Sequence, residues 1–440
     1  MKKTNYPWWT RAVFYVLYID KFGGNFRSAT AHLDYLEQLG VDCIHILPHY
    51  PSGGVDGGYD VIDYRAVSDK LGSLEDFKTF IAVAHKKNIR VLIDLPLNHV
   101  SIEHPWFREA ILNPSSPKRR YFHWSTTGTE FSKAVNVFFH LKPSNWIKNE
   151  STGIAHFSTF YPEQADLNWG EPLVFNEIIS VMDYWMALGV DGFRLDAIAH
   201  IIKLDGTKCQ HLPETHDIVR RLRAHVESIN SEVVLLGEVN ECYDVAKQYF
   251  GNDDECHLVY DFYLSRLFFL ALASGDPSII AKLSAGRDDI PPNSQWATFI
   301  RNHDDLSLHR LEDLDREIII RTFDQDGVKR FAVGIASRIA SMLGRDEKLI
   351  IDTFKTLFSL SGSPFIYYGD EIGMTDQQFE TPPLDTRLYC RNSMDWGLVR
   401  STQFDEKSIL ASIKAIILSY HEGVQVEEYV PAESAVKQEA

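Results

Sequence analysis

Gly192-Phe193-Arg194-Leu195-Asp196-Ala197 is a short apolar stretch that presents one arginine and one aspartate, and its reading decides the fold. It follows Val181 to Val190, a helix-like run closed by Gly189 that turns directly into a strand, which is how a barrel unit begins. An aspartate there stands at the carboxyl end of a parallel strand. Side chains alternate along a strand, so Arg194 and Asp196 share a face, and the cation two residues below favours an ionised carboxylate. Taken alone, an Arg-x-Asp is more often an ordinary salt bridge. The rest of the chain decides between the two.

Strand and helix alternate on both sides of this stretch. Ala12 to Ile19, Val41 to Pro48 and Arg90 to Pro96 are apolar strand candidates. The helical patterns Ala29 to Leu39 and Leu74 to Lys87 separate them, the second with Ser73 as N-cap. After Asp196 come a helix over His216 to Ile229, a fifth strand at Val233 to Glu238, a sixth at His257 to Tyr260 and a seventh at Trp296 to Arg301. An eighth, Phe365 to Tyr368, follows a helix over Lys348 to Leu360. Eight such units without hairpin signals predict an α/β fold, a (β/α)8 TIM barrel with its active site at the carboxyl ends of the strands. A doubly wound open sheet is the alternative. From Ser101 to Asn168 the alternation stops, and the stretch is rich in aromatic residues, Pro, Asn, Ser and Thr. It is too long for a structureless loop and reads as a subdomain inserted after the third strand. The expected organisation is therefore a barrel from 1–100 and 169–396, an inserted subdomain at 101–168, and a short helical tail at 397–440 with a helix over Asp405 to Tyr420 and a polar end.

With 440 residues, 45% of them hydrophobic, the chain can bury a large core, and 44 basic against 61 acidic side chains give a net charge of −17. That balance argues against nucleic acid as a partner and for a neutral or cationic small substrate. No stretch reaches the length of a membrane span. Pro7, Trp8, Trp9 and Arg11 break the resemblance of the N-terminus to a secretion signal, and five scattered cysteines lack metal-like spacing, so a cytoplasmic location is expected. The oligomeric state is not legible.

On a barrel, the strand ends bring Asp94, Asn98, His99, Asp196, Glu238, His303 and Asp304 to one mouth. Breaking a glycosidic bond with retention needs a nucleophilic carboxylate and an acid that later acts as base; Asp196 and Glu238 suit those roles. Neighbouring carboxylates would keep Glu238 protonated while Arg194 keeps Asp196 charged. The same acidic cluster also suits a divalent metal in hydrolase or enolase chemistry.

Seven stretches in order resemble the α-amylase superfamily of glycosidases and transglycosidases. They are Gly58 to Tyr64, Asp94 to His99, Ala165 to Trp169, Gly192 to Asp196, Gly237-Glu238, Arg301 to Asp304 and Tyr368 to Gly373. The resemblance implies Asp196 as nucleophile, Glu238 as general acid/base and Asp304 as the carboxylate that stabilises the transition state. It also implies that Asp60, Tyr59, His99, Arg194 and His303 line the glucosyl subsite, with Arg387 or Arg391 pairing with Asp60 to close it. Within the superfamily, Asp205 to His216, Gly251 to His257, Ile290 to Trp296 and Lys142 to Trp146 are similar to the enzymes that interconvert maltose and trehalose; short-chain α-glucosidases are the near neighbours. The implied substrate is a small α-glucoside, and the chemistry needs no cofactor. In many relatives a structural calcium ion fastens the inserted subdomain, and the matching ligands are Asn98, Asp166 and the carbonyl of His200. The alternative is that Asn98 only hydrogen-bonds the loops.

Three departures stand out. The loop Asp20 to Asn25 is too poor in carboxylates for a second calcium site, Asp305 replaces a more usual glutamate, and Gly397 to Ala440 is short where the family carries a β-sandwich. A non-catalytic sugar-binding barrel is the reading of another class, although such relatives carry a membrane span and lack these carboxylates.

Overall fold

The helix Pro172–Ala187 shows how each unit is built. Pro172 opens it at a position where no amide donor is needed, and Val174, Ile178, Val181, Met182 and Trp185 form its buried stripe. At its end Gly189, in the left-handed region at φ 96°, donates to the Met186 carbonyl at 2.9 Å while Val190 donates to that of Trp185 at 3.1 Å. This closure satisfies the last carbonyls and turns the chain into the next strand.

The computed structural model describes residues 6–284, 287 and 289–424, and in it eight such strands close into a single barrel. They are β1 (Phe14–Leu17), β2 (Cys43–Ile46), β3 (Arg90–Pro96), β4 (Gly192–Asp196), β5 (Val234–Gly237), β6 (Leu258–Tyr260), β7 (Gln295–Thr298) and β8 (Ser363–Tyr367). Each pairs in parallel with its neighbours in sequence, and β8 closes on β1. The closure rules out the open sheet. Register then sets the site: Asp94 of β3 lies opposite Arg194 of β4, and Pro96 opposite Asp196. On the other side Gly192 permits the close approach of β4 to β5, because a Cβ there would stand 2.8 Å from the carbonyl oxygen of Val234.

The chain between β3 and β4 carries two small antiparallel sheets. His99–Ser101 pairs with Gln164–Asp166, and Ala155–Phe157 lies between Trp124–Ser125 and Trp146–Lys148. Helical turns begin earlier than the pattern at Ala29 suggests. Asn25 accepts the Ser28 amide proton and starts a short helix at Phe26, separate from Leu33–Leu39. Near the carboxyl end, the helix expected over Asp405 to Tyr420 is present as Ile409–His421 and packs on the barrel. Its Leu410, Ile413, Ile416 and Ile417 are buried in the core shared with the strands, and Tyr420 donates to the Gly362 carbonyl at 3.2 Å. The polar end expected beyond it lies outside the described residues. Among the described residues no helix is long and apolar enough to cross a membrane.

Ser73 caps Leu74–Lys86 through a reciprocal box, accepting the Asp76 amide proton at 3.1 Å while Asp76 accepts that of Ser73 at 2.9 Å. Ser73→Ala is expected to cost about 1 kcal/mol. Urea unfolding followed by circular dichroism checks this, and an unchanged midpoint would show that the cap contributes nothing.

Candidate active site

Arg194 is fully buried beneath the barrel mouth and has four partners there. Its Nη1 donates to Asp94 Oδ1 at 2.7 Å, Asp196 Oδ1 at 2.5 Å and the Tyr59 hydroxyl at 3.0 Å, and its Nη2 meets Glu238 Oε1 at 2.5 Å. Asp196 and Glu238 are thus bridged by a single guanidinium, which fits the close spacing of a retaining pair, ~5–5.5 Å. Ala197, directly after Asp196, adopts a left-handed conformation at φ 51° and donates its amide proton to Glu238 Oε2 at 2.9 Å. A non-glycine residue held there is strained, and the strain orients the second carboxylate.

The electrostatics differ from the simple expectation that Arg194 keeps Asp196 charged. Burial raises the pKa of Asp196 well above the usual carboxylate value, Arg194 opposes it, and Glu238 adds to it. Glu238 is raised too, by burial and by Asp304 against the pull of Arg194. Three carboxylates share one cation, so both members of the pair sit above the ordinary carboxylate range. Asp304 behaves otherwise. Burial works against its ionisation, but His303 and the fixed charges of Arg391 and Arg387 outweigh it and hold the carboxyl far below its ordinary value. Arg391 reaches Asp304 Oδ1 at 2.6 Å and Arg387 at 3.2 Å.

Two chambers open above these groups. The inner one, about 70 Å³, is lined by Asp56, Tyr59, His99, Phe138, Phe160, Asp196, Ala197, Glu238, Asp304 and Arg387. The outer, about 240 Å³, shares Phe138, Phe160, Ala197, Glu238, Asp304 and Arg387 with it and extends along Glu241, Arg310 and Phe331. Together they lie near the lower end of the ~300–1,000 Å³ typical of ligand pockets, a size for short ligands. Glu238 is among the residues that border both chambers.

The expected site residues fall into three groups. Asp196, Glu238, Asp304, Tyr59 and His99 reach the inner chamber. His303 stands behind it, its Nε2 2.9 Å from the Tyr59 hydroxyl and 3.1 Å from Asp304 Oδ2, and burial lowers its pKa to about 3. Asp60 is the correction. Its carboxyl turns back into its own loop, Oδ1 accepting the Val55 amide proton at 3.2 Å, and burial lifts its pKa to about 7. The carboxylate that faces the chamber is Asp56, and Arg387 pairs with it at 2.8 Å, whereas Arg391 serves Asp304. Asp56, Gly57 and Gly58 all have positive φ, and this tight turn swings Asp56 alongside Tyr59. An acid followed by two glycines and a tyrosine was the signal that sequence reasoning passed over.

Asn98, Asp166 and the His200 carbonyl do converge, but around the ammonium of Lys203. Its Nζ lies 2.8 Å from Asn98 Oδ1 and 2.9 Å from Asp166 Oδ2 and donates to the His200 carbonyl, with the side chain fully buried. Asp166 also accepts from the Thr159 amide at 2.9 Å and the Thr159 hydroxyl at 2.5 Å. The donor set is satisfied by a monovalent cation of the chain itself and does not fit an added calcium ion. Among the described residues no group of three or more His, Cys, Asp or Glu is arranged to hold a metal.

A barrel whose strand ends carry a bridged carboxylate pair and a third, ionised carboxylate is the site of a glycosidase or transglycosidase. Residues 5–322 match the family described as the alpha amylase catalytic domain, and the chain belongs to that family. The trehalose synthase/amylase TreS of Mycobacterium tuberculosis is 37% identical over 408 residues, 90% of this chain and 67% of that protein. The trehalose synthase of Thermus thermophilus is 38% identical over 90% of this chain and 41% of its own length. Among solved structures, isomaltulose synthase (PalI) from Klebsiella sp. LX3 shares the fold with a TM-score of 0.74 at 24% identity, covering 95% of this chain and 85% of that one.

Asp56→Asn and Arg387→Ala are each expected to lower kcat/KM on a small α-glucoside by ~10²-fold or more, since each removes a group aimed into the chamber. Asp60→Asn is expected to cost less than about tenfold. Steady-state kinetics of the three variants decides, and a greater loss for Asp60→Asn than for Asp56→Asn would return the role to Asp60.

Proposed function

We propose that this enzyme interconverts maltose and trehalose by transferring a glucosyl unit within one closed site. The observation that carries the reading is the pair of chambers meeting at Glu238, an inner one for the glucosyl ring and an outer one for the sugar released. Relatives that bear the name trehalose synthase, 37% and 38% identical over nine-tenths of the chain, support it.

In this mechanism Asp196 attacks the anomeric carbon while Glu238 gives its proton to the departing glycosidic oxygen, producing a β-glucosyl-enzyme and a free glucose. Asp304, kept ionised by its arginines, faces the positive charge that develops on the ring. Glu238 then takes a proton from the glucose hydroxyl that attacks the intermediate. If the glucose returns through a different hydroxyl, the product is the partner disaccharide; if water arrives first, the product is glucose. Phe138 and Phe160 border both chambers and oppose the entry of water. The reaction needs no cofactor, a small α-glucoside is the only partner required, and the inserted segment is pinned by Lys203 in place of calcium. Five free cysteines accord with a reducing cytoplasm.

Asp196→Ala is expected to abolish turnover of every α-glucoside, and retained activity would sink the assignment. Incubated with maltose, the wild-type protein is expected to yield trehalose, resolved by chromatography, whereas glucose alone would indicate a hydrolase. The melting temperature is expected to be the same with excess EDTA and with added calcium, and lower in Lys203→Ala; a fall with EDTA would restore the metal.

A further inference from the structure

The outer chamber has a wall that the catalytic groups do not explain. Glu241 follows Glu238 by three residues, on the turn that leaves β5, and only 6% of it is exposed. Its Oε1 takes two donors, His211 Nε2 at 3.1 Å and Arg310 Nη2. Burial raises its pKa, but His211 and Arg310 outweigh that effect and keep it ionised. Arg266 fixes the backbone by donating to the Glu241 carbonyl at 3.3 Å. Among the described residues no donor reaches Oε2, and Glu241 lines the chamber.

The support behind this carboxylate is elaborate. His211 is held in the left-handed region at φ 52°, uncommon for a residue other than glycine, and its Nδ1 is tied to the Tyr249 hydroxyl at 2.9 Å. Close by, His216 Nδ1 and Arg220 Nη1 bind Glu255 at 2.7 and 2.8 Å, and Arg223 Nη1 donates to its carbonyl at 2.9 Å. The segments 205–216 and 251–257 therefore pack on one another, and the product of that packing is a strained histidine delivered to Glu241. Val135, Val137 and Phe331 add apolar side chains to the same chamber. A chamber that combines a fixed carboxylate on this wall with apolar side chains suits a hexose ring, whose edge carries hydroxyls and whose face is apolar.

We propose that Glu241 is the specificity-determining residue of the outer chamber, its free Oε2 accepting hydrogen bonds from the hydroxyls of a second, uncharged hexose, with His211 as a positioning residue. The proposal rests on the α-glucoside reading above. It separates two tasks: Asp196 and Glu238 act on the glucosyl ring, while Glu241 recognises the ring that leaves and returns.

The test compares maltose, whose leaving group is a hexose, with p-nitrophenyl α-glucoside, whose leaving group is a flat aromatic without hydroxyls. In Glu241→Gln the ratio of kcat/KM for maltose to that for the aryl glucoside is expected to fall about tenfold. A fall of threefold or more supports the proposal, and a smaller change or a rise overturns it, because a structural role would depress both substrates together. Activity on the aryl glucoside also reports that the variant is folded. His211→Ala is expected to lower the same ratio by a smaller factor, and no fall there overturns its positioning role. A third assay supplies wild-type protein with the aryl glucoside and added glucose. Disaccharide formation supports transfer through this subsite; glucose alone refutes the isomerase reading, while the maltose ratio still decides the role of Glu241. A wild-type protein inactive on both donors overturns the α-glucoside reading and this proposal with it.

Discussion

One buried guanidinium organises the active site. Arg194 is taken out of water on the floor of the barrel mouth, a placement that is costly unless the charge is paired and its donors are used. Asp94 from β3, Asp196 from its own strand, Glu238 after β5 and Tyr59 from the loop after β2 supply the pairing. The strands that supply them are adjacent in the barrel, so the ion cluster depends on the register that sets Asp94 opposite Arg194. A slip of one residue would turn Arg194 into the helix layer. The charge balance has a chemical consequence as well. With two carboxylates bridged by one cation and a third beside it, retaining one proton is less costly than a full set of buried anions. A retaining mechanism begins with that proton on the acid.

Around this floor, side chains from separate loops divide the pocket. Arg387 joins Asp56 to Asp304 and lies over the Phe331 ring at 4.2 Å, so the loop after β8 closes the inner chamber and also forms part of the outer one. Replacing it with lysine would preserve charge but lose the fork that holds two carboxylates at once. The closing device is therefore the same cation that orients the acid groups on either side of the glucosyl ring. This economy explains why Arg387 has so many partners, Asp385 and the Tyr161 hydroxyl among them.

How much of this was legible in the sequence depends on how far each side chain reaches. Asp196, Glu238 and Asp304 were legible because each follows an apolar strand, and strand ends share a mouth in any barrel. Asp56 and Asp60 are the same residue type in one loop, and only the two glycines after Asp56 set them apart. The difference lies in backbone dihedrals at Asp56, Gly57 and Gly58, which composition does not reveal. Lys203 was invisible for another reason. Its long side chain carries the charge away from its own loop into a set of oxygens drawn from β3's exit, the inserted segment and the turn after β4. Glu241, His211 and Arg310 come from three loops and only become a cluster when the barrel closes. The helix Ile409–His421 looked like a tail because its pattern was read without the groove it fills.

The inserted segment borders the place where transfer and hydrolysis part. It supplies Phe138 and Phe160, which border both chambers, and it is held by cations that belong to the chain. Lys203 ties Asp166 to Asn98, and Lys142, itself largely buried, donates to Asn145 Oδ1 at 2.8 Å and to the Ser158 carbonyl. Removing one partner of the buried Lys203–Asp166 pair would leave the other charge uncompensated, so the two hold each other in place. A fixed geometry is what transfer requires, because a glucose must remain beside the intermediate longer than water takes to reach it. The carboxylates set which bond is broken, and they are indifferent to what attacks next. That choice belongs to the aromatic rim and the outer wall, and both are anchored within the chain, by Lys203 on Asp166 and by Arg310 on Glu241 among others.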